Sequence, residues 1–234
     1  MNDFFHFKQF SILQSRCAMK VTEMACIQGA WTKIHEKANN LLDLGFGTGL
    51  LSLMIAQQYP KLEIDAIEID NEAFLQGSEN IRSSKFANQI STMHGDVKTY
   101  ELKKKYDFII CNPPFFENQL VSESLQKNKA WHSVDLSLAE LIKIIQNNLA
   151  DHGKCSLMFP MERKDDVQNQ LLNYTLYPQH YLYIYHSENK IPKYFICIYG
   201  KQMHSILESK LIIRDGSNYT KEMSSLMKDF YLKL

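Results

Sequence analysis

The chain has 234 residues, of which 45% are hydrophobic and 22% charged, an ordinary globular composition and a length sufficient for one α/β domain. Its 26 basic and 26 acidic residues give a formal net charge of zero, which argues against a large phosphate-binding surface but allows a local basic face. No segment approaches the roughly 20 apolar residues needed to cross a bilayer, and the start has no signal-peptide pattern, so we expect a cytoplasmic protein.

The number and spacing of the cysteines indicate a protein from a reducing compartment. Their number is odd, no two have the CxxC spacing, and three fall in apolar segments that resemble strands. Buried free thiols are typical of cytosolic proteins, whereas disulfide frameworks and zinc sites use even or closely paired sets. We therefore expect neither a disulfide nor a metal site at Cys17, Cys26, Cys111, Cys155 and Cys197.

The first predicted elements belong to a helical amino-terminal extension, residues 1–35, and to the start of a single catalytic core, residues 36–234. An apolar strand over residues 40–44 leads into Gly45-Phe46-Gly47-Thr48-Gly49, and residues 50–57 follow as a helix. Glycines at alternate positions allow unusual φ angles and let backbone amides approach a ligand closely. Strand, glycine-rich turn and helix in this order are the context that a ligand-binding loop requires.

Two further predicted strands each end in an acid. Residues 63–70 end in Glu68-Ile69-Asp70, about 20 residues beyond the glycines, the separation at which a carboxylate meets a ribose diol in a nucleotide-binding fold. A helix over residues 71–84, capped by Asp70 or Asn71, precedes a short strand over residues 90–94 that ends in Gly95-Asp96. A carboxylate at that point could accept a hydrogen bond from an adenine amine.

A proline pair after the next strand is the most informative feature of the chain. The apolar residues 106–111 predict a buried strand that stops at Asn112-Pro113-Pro114-Phe115. Two prolines fix φ twice and remove two backbone donors, so the amide, the proline carbonyls and the ring are held rigidly. These groups suit a planar ligand that carries an NH2, because the amine donates two hydrogen bonds while the ring stacks. A structural turn with a core phenylalanine would have the same local sequence.

The second half of the chain continues the alternation of predicted strands and helices. After a polar loop over residues 117–129, placed to cover the substrate site, Ser137-Leu138-Ala139-Glu140 is a capping box that opens a helix. The connection between aromatic strands over residues 181–185 and 194–199 is too short for a helical crossover, so this pair should be antiparallel. The other predicted elements are a strand over residues 154–159, a helix over 165–174, a short strand over 211–213 and a closing helix over 219–229.

The glycine loop, the strand-end acids and the NPPF sequence, in that order, resemble a class I S-adenosylmethionine-dependent methyltransferase. The resemblance implies a Rossmann-like α/β fold with a seven-stranded, mostly parallel sheet, an antiparallel final strand and helices on both faces. It implies S-adenosyl-L-methionine as cofactor and no metal. Glu68 would bind the ribose hydroxyls, and Asp96 with Val97 the adenine. The full cofactor set is Lys20, Asp43, Gly45, Gly47, Gly49, Glu68, Ile69, Asp96, Val97 and Asn112, and the catalytic set is Asn112, Pro113, Pro114 and Phe115.

Segments at both ends of the chain indicate which group accepts the methyl. The sequence Arg16-Cys17-Ala18-Met19-Lys20-Val21, the later Gly29-Ala30-Trp31 and the terminal Phe230-Tyr231-Leu232 resemble the bacterial tRNA1(Val) (adenine(37)-N6)-methyltransferase family. This resemblance implies methylation of adenine N6 in a tRNA, next to the anticodon of a valine tRNA. The chain departs from the family pattern at Glu23-Met24, where relatives usually carry Thr-Asp, and at Trp131, where relatives often carry Arg.

We expect tRNA as the partner and a monomer or weak dimer as the assembly. The expected RNA contacts are Arg16 and four lysines that could flank the NPPF sequence, Lys127, Lys129, Lys190 and Lys193, although solvated loop charge would explain each of them. Two other enzymes with the same loop remain open, a protein-glutamine methyltransferase and an rRNA guanine-N2 methyltransferase. A non-catalytic module that binds S-adenosylmethionine or RNA is the alternative from a different class.

Overall fold

The computed structural model describes residues 3–17, 19–113 and 136–234. The predictions that lie outside the described residues concern Pro114, Phe115, Lys127, Lys129, Trp131 and the loop over residues 117–129. The strands and helices of the described residues are β1 (Phe4–His6), β2 (Ser11–Leu13), α1 (Glu23–Trp31), β3 (Asn40–Leu44), α2 (Leu50–Gln58), β4 (Glu63–Glu68), α3 (Asn71–Arg82), β5 (Ile90–His94), β6 (Tyr106–Cys111), α4 (Leu138–Asn148), β7 (Leu149–Pro160), α5 (Lys164–Asn173), β8 (Tyr177–Ser187), β9 (Tyr194–Gly200), β10 (Leu207–Asp215), β11 (Asn218–Tyr219) and α6 (Lys221–Met227).

The main sheet of the described residues has the strand order β11-β10-β8-β9-β7-β6-β3-β4-β5. Strands β3 to β7 are parallel, and β9 is antiparallel to both β7 and β8, which confirms the predicted mixed sheet. The prediction of seven strands is wrong by two. Strand β10 is longer than the predicted residues 211–213 because its polar first half, residues 207–210, pairs in parallel with β8, and β11 then pairs with its end.

The amino-terminal extension contains a hairpin that the sequence did not predict, in addition to the predicted helix. Strands β1 and β2 pair antiparallel, with Phe4 opposite Leu13. Phe7 forms an isolated bridge with Tyr231, and its ring stacks on that of Phe10 with centroids 4.6 Å apart. Both phenylalanines are buried, so the extension shares the hydrophobic core of the sheet and is not helical throughout.

Helices cover both faces of the sheet, as predicted. Leu41 and Ile110 belong to the core under α1, α2 and α6, whereas their neighbours Leu42 and Ile109 belong to the core under α4 and α5. This alternation follows from the two-residue period of a strand that is buried on both faces. All five cysteines are buried and free. Among the helices of the described residues, none has the length and apolar character that crossing a membrane requires.

Local sequence explains where the main helices begin. The Ser137 side chain and Glu140 form the predicted capping box at the start of α4, with the Ser137 amide donating to Glu140 Oε2 at 2.9 Å. The side chain of Asp70 caps α3 by accepting from the Ala73 amide at 2.8 Å. Each cap satisfies helix-terminal N–H groups that would otherwise lack partners.

One edge of the sheet collects the residues singled out in the sequence. Leu44 pairs with Ile67 on one side and with Cys111 on the other, and Glu68 pairs with His94. The carboxyl ends of β3, β4, β5 and β6 therefore lie together. In open α/β sheets this edge is where ligands bind.

Candidate active site

The glycine loop connects β3 to α2 at this edge. Gly45, Gly47 and Gly49 have φ angles of +71°, +51° and +82°, in the left-handed region that side chains rarely adopt. The amide of Gly45 donates to the carbonyl oxygen of Ile67 at 2.9 Å, which joins the loop to the end of β4. A β-carbon at Gly45 would meet no atom of the described residues within 4 Å, so the loop backbone is open on that side.

Glu68 fixes the loop from the end of β4. The side chain is buried, and its Oε2 accepts from the Gly47 amide at 2.9 Å. Its Oε1 accepts from the amides of Ile69 and Asp70, both at 2.9 Å. A carboxylate offers about four acceptor positions, so these three hydrogen bonds leave one for a ligand hydroxyl.

Asp43 lies beneath the loop near the end of β3 and is fully buried. Its Oδ2 accepts from the Ser52 amide at 3.1 Å and from the Ser52 hydroxyl at 2.6 Å. Its Oδ1 is buried and has no hydrogen-bond partner in the described part of the chain. Burial raises the pKa of Asp43 to about 7, although the hydrogen bonds from Ser52 oppose the shift. A cation beside Oδ1 would favour the ionised carboxylate.

Asp96 and Val97 follow β5 at the same edge. The Gly95 amide donates to the carbonyl oxygen of Glu68 at 2.9 Å, so the ends of β4 and β5 are joined. Asp96 Oδ1 accepts from the Lys98 amide at 2.9 Å, and Lys98 Nζ lies 3.9 Å from Oδ2. Val97 is half-buried and packs against the core under α4. The Asp96 carboxylate remains about one-third exposed and can accept a further hydrogen bond.

Asn112 follows the last residue of β6, next to the end of β3. Its Oδ1 is buried and has no hydrogen-bond partner among the residues that the structure describes. Pro113, the second residue of the NPPF sequence, is also buried. The amide oxygen and the adjoining backbone therefore lie at the edge that carries the glycine loop.

Gln28 of α1 supports this strand end and was missed in the sequence. Its Nε2 donates to the carbonyl oxygens of Cys111, at 3.0 Å, and Ser156, at 3.3 Å. The Ser156 hydroxyl hydrogen-bonds Thr32 Oγ1 at 2.9 Å. Gln28 is fully buried, so α1 of the extension holds the end of β6, directly before Asn112, together with the interior of β7.

Two amides of α3 were missed as well. Asn80 Nδ2 donates to the carbonyl oxygen of Thr48, in the glycine loop, at 2.9 Å. Gln76 Oε1 accepts from the amides of Arg16 and Cys17. Both side chains are buried, and they are one helical turn apart. Two amides at i and i+4 on an otherwise amphipathic helix were the available signal, because buried polar side chains need specific partners.

The remaining predicted contacts are Lys20, Arg16, Lys190 and Lys193. Lys20 is half-buried. Arg16 pairs with Glu79 of α3, with Nη2 and Oε2 2.6 Å apart. Lys190 and Lys193 are exposed in the β8–β9 connection, which lies at the same edge but two to three strands, roughly 10–14 Å, from β6.

Glu23, one of the departures from the family pattern, has partners at the carboxyl-terminal end of the chain. Its Oε1 lies 3.3 Å from Arg214 Nη2 and accepts from the Tyr219 hydroxyl at 3.0 Å. It therefore ties the start of α1 to β10 and β11. Within the described ranges, no group of three or more His, Cys, Asp or Glu side chains is arranged to hold a metal ion.

The chemical capacity of this edge follows from its donors and acceptors. Glu68 and Asp96 offer carboxylate oxygens, Asn112 offers a neutral amide oxygen, and the glycine loop offers open backbone. Oxygen acceptors of this kind suit a ligand with hydroxyls and amines. The buried oxygens of Asp43 and Asn112 favour groups that bring hydrogen-bond donors or positive charge.

Comparison with known proteins identifies relatives along almost the whole chain. A family model, the methyltransferase small domain, matches residues 31–153. A Dyadobacter fermentans protein named tRNA1(Val) (adenine(37)-N6)-methyltransferase is 38% identical over 237 residues, which cover 99% of this chain and 98% of that protein. Proteins of the same name from Flavobacterium psychrophilum and Histophilus somni are 33% and 35% identical, covering 98% and 97% of this chain and 100% and 97% of the relatives.

Solved structures confirm the predicted fold class. A predicted O-methyltransferase from Agrobacterium tumefaciens superposes with a TM-score of 0.63 at 14% identity, covering 88% of this chain and 95% of that chain. The glycopeptide N-methyltransferase MtfA, solved with S-adenosyl-L-methionine, gives a TM-score of 0.54 at 11% identity, covering 70% and 82%. At such identities the likeness shows the fold alone, which is that of the class I methyltransferases.

Proposed function

Because this chain belongs to the tRNA1(Val) (adenine(37)-N6)-methyltransferase family, we propose that it methylates N6 of an adenine in tRNA, namely adenine 37 of a valine tRNA. The cofactor is S-adenosyl-L-methionine. The protein acts in the cytoplasm as a single domain and as a monomer or weak dimer. The observation that carries the proposal is the buried Oδ1 of Asn112, which lies beside the glycine loop and has no hydrogen-bond partner among the described residues.

The described residues fit this cofactor. The glycines of the loop have left-handed φ angles, and at Gly45 no described atom blocks the backbone, so a ligand can approach it closely. The spare acceptor position of Glu68 suits the ribose hydroxyls, and Asp96 suits the adenine amine. The Oδ1 of Asp43, to which no described residue donates a hydrogen bond, suits the positive charge of the methionine moiety. When bound, S-adenosyl-L-methionine supplies a methyl group activated by a sulfonium.

Asn112 and Pro113 would prepare the acceptor amine. The lone pair of an adenine N6 is delocalised into the ring, so the amine is a poor nucleophile. Asn112 Oδ1 and the Pro113 carbonyl would each accept one N–H, which favours a pyramidal nitrogen with its lone pair free. Positive charge develops on that nitrogen during transfer. Fixed oxygen dipoles aimed at developing charge contribute about 3–4 kcal/mol per group in comparable sites.

The other members of the site would orient the base. Phe115, by its place in the NPPF sequence, would stack on an adenine that has left its neighbours in the RNA. Pro113 and Pro114 restrict the backbone, so the acceptor groups need no rearrangement when the base arrives. Orientation of two reactants contributes a large part of such rate enhancements. No strong base is needed, because the proton leaves an already acidic ammonium.

The test is incubation of the protein with methyl-labelled S-adenosyl-L-methionine and total tRNA, followed by digestion and nucleoside analysis. We expect the label in N6-methyladenosine, and tRNA transcripts with adenine 37 replaced should not accept it. Label in N2-methylguanosine would instead support the rRNA-type guanine enzyme. In a parallel incubation with release factor in place of tRNA, label in the release factor but none in RNA would support the protein-glutamine enzyme. Binding of cofactor without transfer in either incubation would support a non-catalytic module.

A further inference from the structure

Residues 13–17, which we name the strap, follow β2 and lie along α3. Asn80 holds the first residue of the strap with two hydrogen bonds. Its Oδ1 accepts from the Leu13 amide at 2.9 Å, and its Nδ2 donates to the Leu13 carbonyl at 2.8 Å. The same Nδ2 donates to Thr48 of the glycine loop at 2.9 Å. One buried amide therefore joins the strap to the loop.

Gln76 holds the end of the strap. Its Oε1 accepts from the amides of Arg16, at 2.8 Å, and Cys17, at 3.1 Å, while its Nε2 lies 3.2 Å from Ser15 Oγ. Gln76 is fully buried and Asn80 is 5% exposed. Buried backbone groups without a partner are costly, so the strap depends on these two side chains. The exposed ion pair of Arg16 with Glu79 adds little at the surface.

The strap lies near the candidate cofactor site, because Asn80 bonds both Leu13 of the strap and Thr48 of the glycine loop. Cys17 is buried, and the carboxylates of Glu68 and Asp70 are close enough to act on its thiol electrostatically. Burial, reinforced by these two carboxylates, raises the pKa of Cys17 to about 12. The thiol is therefore protonated and shielded while the strap is in place. Release of the strap would expose it and return its pKa towards the ordinary value of about 8.5.

We propose that Gln76 and Asn80 are positioning residues that hold the strap as one wall of the cofactor site, so that cofactor affinity depends on their hydrogen bonds. The inference rests on the proposed function, because it assumes that the cofactor binds beside Glu68. Neither amide needs to touch the reacting atoms. The expected effect is therefore on cofactor affinity and not on the rate of the bound enzyme.

The test compares Gln76→Leu with Gln89→Leu. Leucine at position 76 has a similar volume but leaves the amides of Arg16 and Cys17 without their acceptor. Gln89 is the matched control, since its Nε2 also makes two hydrogen bonds to backbone, to the carbonyls of Tyr59 and Leu62, away from the strap. The readouts are the alkylation rate of Cys17 by N-ethylmaleimide, followed by peptide mass spectrometry, and the Kd for S-adenosylhomocysteine by calorimetry.

We expect Gln76→Leu to raise both the Cys17 alkylation rate and the Kd by about tenfold or more, because losing two buried hydrogen bonds has effects of that order. The kcat at saturating cofactor should stay within about threefold of wild type. Gln89→Leu should lower the Tm but leave Cys17 and the Kd unchanged. A folded Gln76→Leu protein with wild-type Cys17 reactivity or wild-type Kd would overturn the proposal.

The wild-type protein provides a second test if the variant does not fold. Saturating S-adenosylhomocysteine should slow alkylation of Cys17 by about tenfold or more, because ligand binding stabilises the closed strap. An unchanged rate would contradict the proposal. Failure of the wild-type protein to bind S-adenosylhomocysteine at all would instead refute the proposed function, and Cys17 alkylation in Gln76→Leu would still report whether the amide holds the strap.

Discussion

Gly77 of α3 and Gly47 of the glycine loop are in direct backbone contact. A β-carbon at position 77 would lie 2.2 Å from the carbonyl oxygen of Gly47 and 2.5 Å from the Phe46 ring. Such a distance requires the backbone of the loop to move. Position 77 therefore determines how closely α3 approaches the loop, and the buried amides of Gln76 and Asn80 flank it on the same helix.

Gly77→Ala should displace the glycine loop. Alanine favours a helix by about 1 kcal/mol over glycine, but overpacking costs about 1–3 kcal/mol, so the net effect on stability is small or unfavourable. We expect the Kd for S-adenosylhomocysteine, measured by calorimetry, to rise at least about tenfold. Leu75→Ala, at an exposed position of the same helix, is the control. Equal affinity in the two variants would show that the contact does not shape the site.

Asn112→Ala should lower turnover by about 100-fold or more, because it removes a dipole aimed at the amine. Although Asn112 also belongs to the predicted cofactor set, binding of S-adenosyl-L-methionine should change much less than turnover, because the glycine loop, Glu68 and Asp96 remain. The measurement is single-turnover methylation of tRNA beside calorimetry of the cofactor. Asn148→Ala, which removes an amide that donates to the carbonyl of Ile144 in α4, is the control. A wild-type methylation rate for Asn112→Ala would remove Asn112 from the catalytic set.

Glu68→Gln should weaken cofactor binding even though the two side chains are nearly isosteric. Glu68 accepts from the Gly47 amide through Oε2 and from the amides of Ile69 and Asp70 through Oε1. Glutamine keeps one acceptor oxygen but puts an NH2, which cannot accept, in place of the other, so one of these two sets of amides loses its acceptor. The substitution therefore disturbs the geometry of the glycine loop and weakens the proposed contact with the ribose. We expect the Kd, measured by calorimetry, to rise by about tenfold or more. Unchanged affinity would move the ribose site elsewhere.

Cofactor affinity should depend on pH through Asp43, whose pKa burial raises to about 7. The cofactor is cationic and favours the carboxylate, so affinity should rise by about eightfold between pH 6 and pH 7.5, in step with the ionised fraction. Asp43→Asn should flatten this dependence in calorimetry. Ser52→Ala, which removes a hydrogen bond that lowers the pKa, should shift the dependence to higher pH. A pH-independent wild-type Kd would argue against a contact with Asp43.

The Asp43 carboxyl should also make the free energy of unfolding of the ligand-free protein depend on pH. Its folded pKa lies above its unfolded value of 3.8, so between about pH 4 and pH 7 the folded protein binds a proton that the unfolded chain does not. This group therefore makes the free energy of unfolding fall as pH rises through that window. Thermal melts of wild type and Asp43→Asn across the window measure the difference. A difference that does not vary with pH would show that Asp43 ionises normally.

Replacing Lys190 and Lys193 together by alanine should raise the KM for tRNA without changing the Kd for the cofactor. Both side chains are exposed at the edge that carries the candidate site. Loss of two phosphate contacts would make the slope of log KM against log salt shallower by about two. Lys61→Ala, also exposed but at the start of β4, is the control. An unchanged salt dependence would show that these lysines do not contact RNA.

Much of the fold followed from local sequence. The bounds of β3 and β6 were predicted correctly because both are mostly apolar segments, one followed by Gly45 and the other by Asn112-Pro113. The hairpin of β1 and β2 and the first half of β10 were not predicted. Phe7 pairs with Tyr231 at the other end of the chain, and the polar residues of β10 form a strand only because β8 lies beside them.

The same distinction applies to the candidate site. The glycine loop and Asn112 belong to short motifs whose chemistry is visible in a few adjacent residues. Gln28 and Gln76 act on backbone groups that are distant in sequence, such as Cys111 and Cys17. In the sequence they are ordinary polar residues of a helix. Their roles became visible only when burial and hydrogen-bond partners were known.

The hydrogen bonds of Gln28 have a consequence for protein engineering. Residues 1–35 look like a detachable module, but Gln28 inside them supports Cys111 and Ser156 of the parallel core. A chimera that borrows this region from a relative must also match Ser156, which faces Gln28, or the carbonyls of Cys111 and Ser156 lose their donor. Exchanges intended to alter acceptor choice should therefore transfer position 28 and position 156 as a pair.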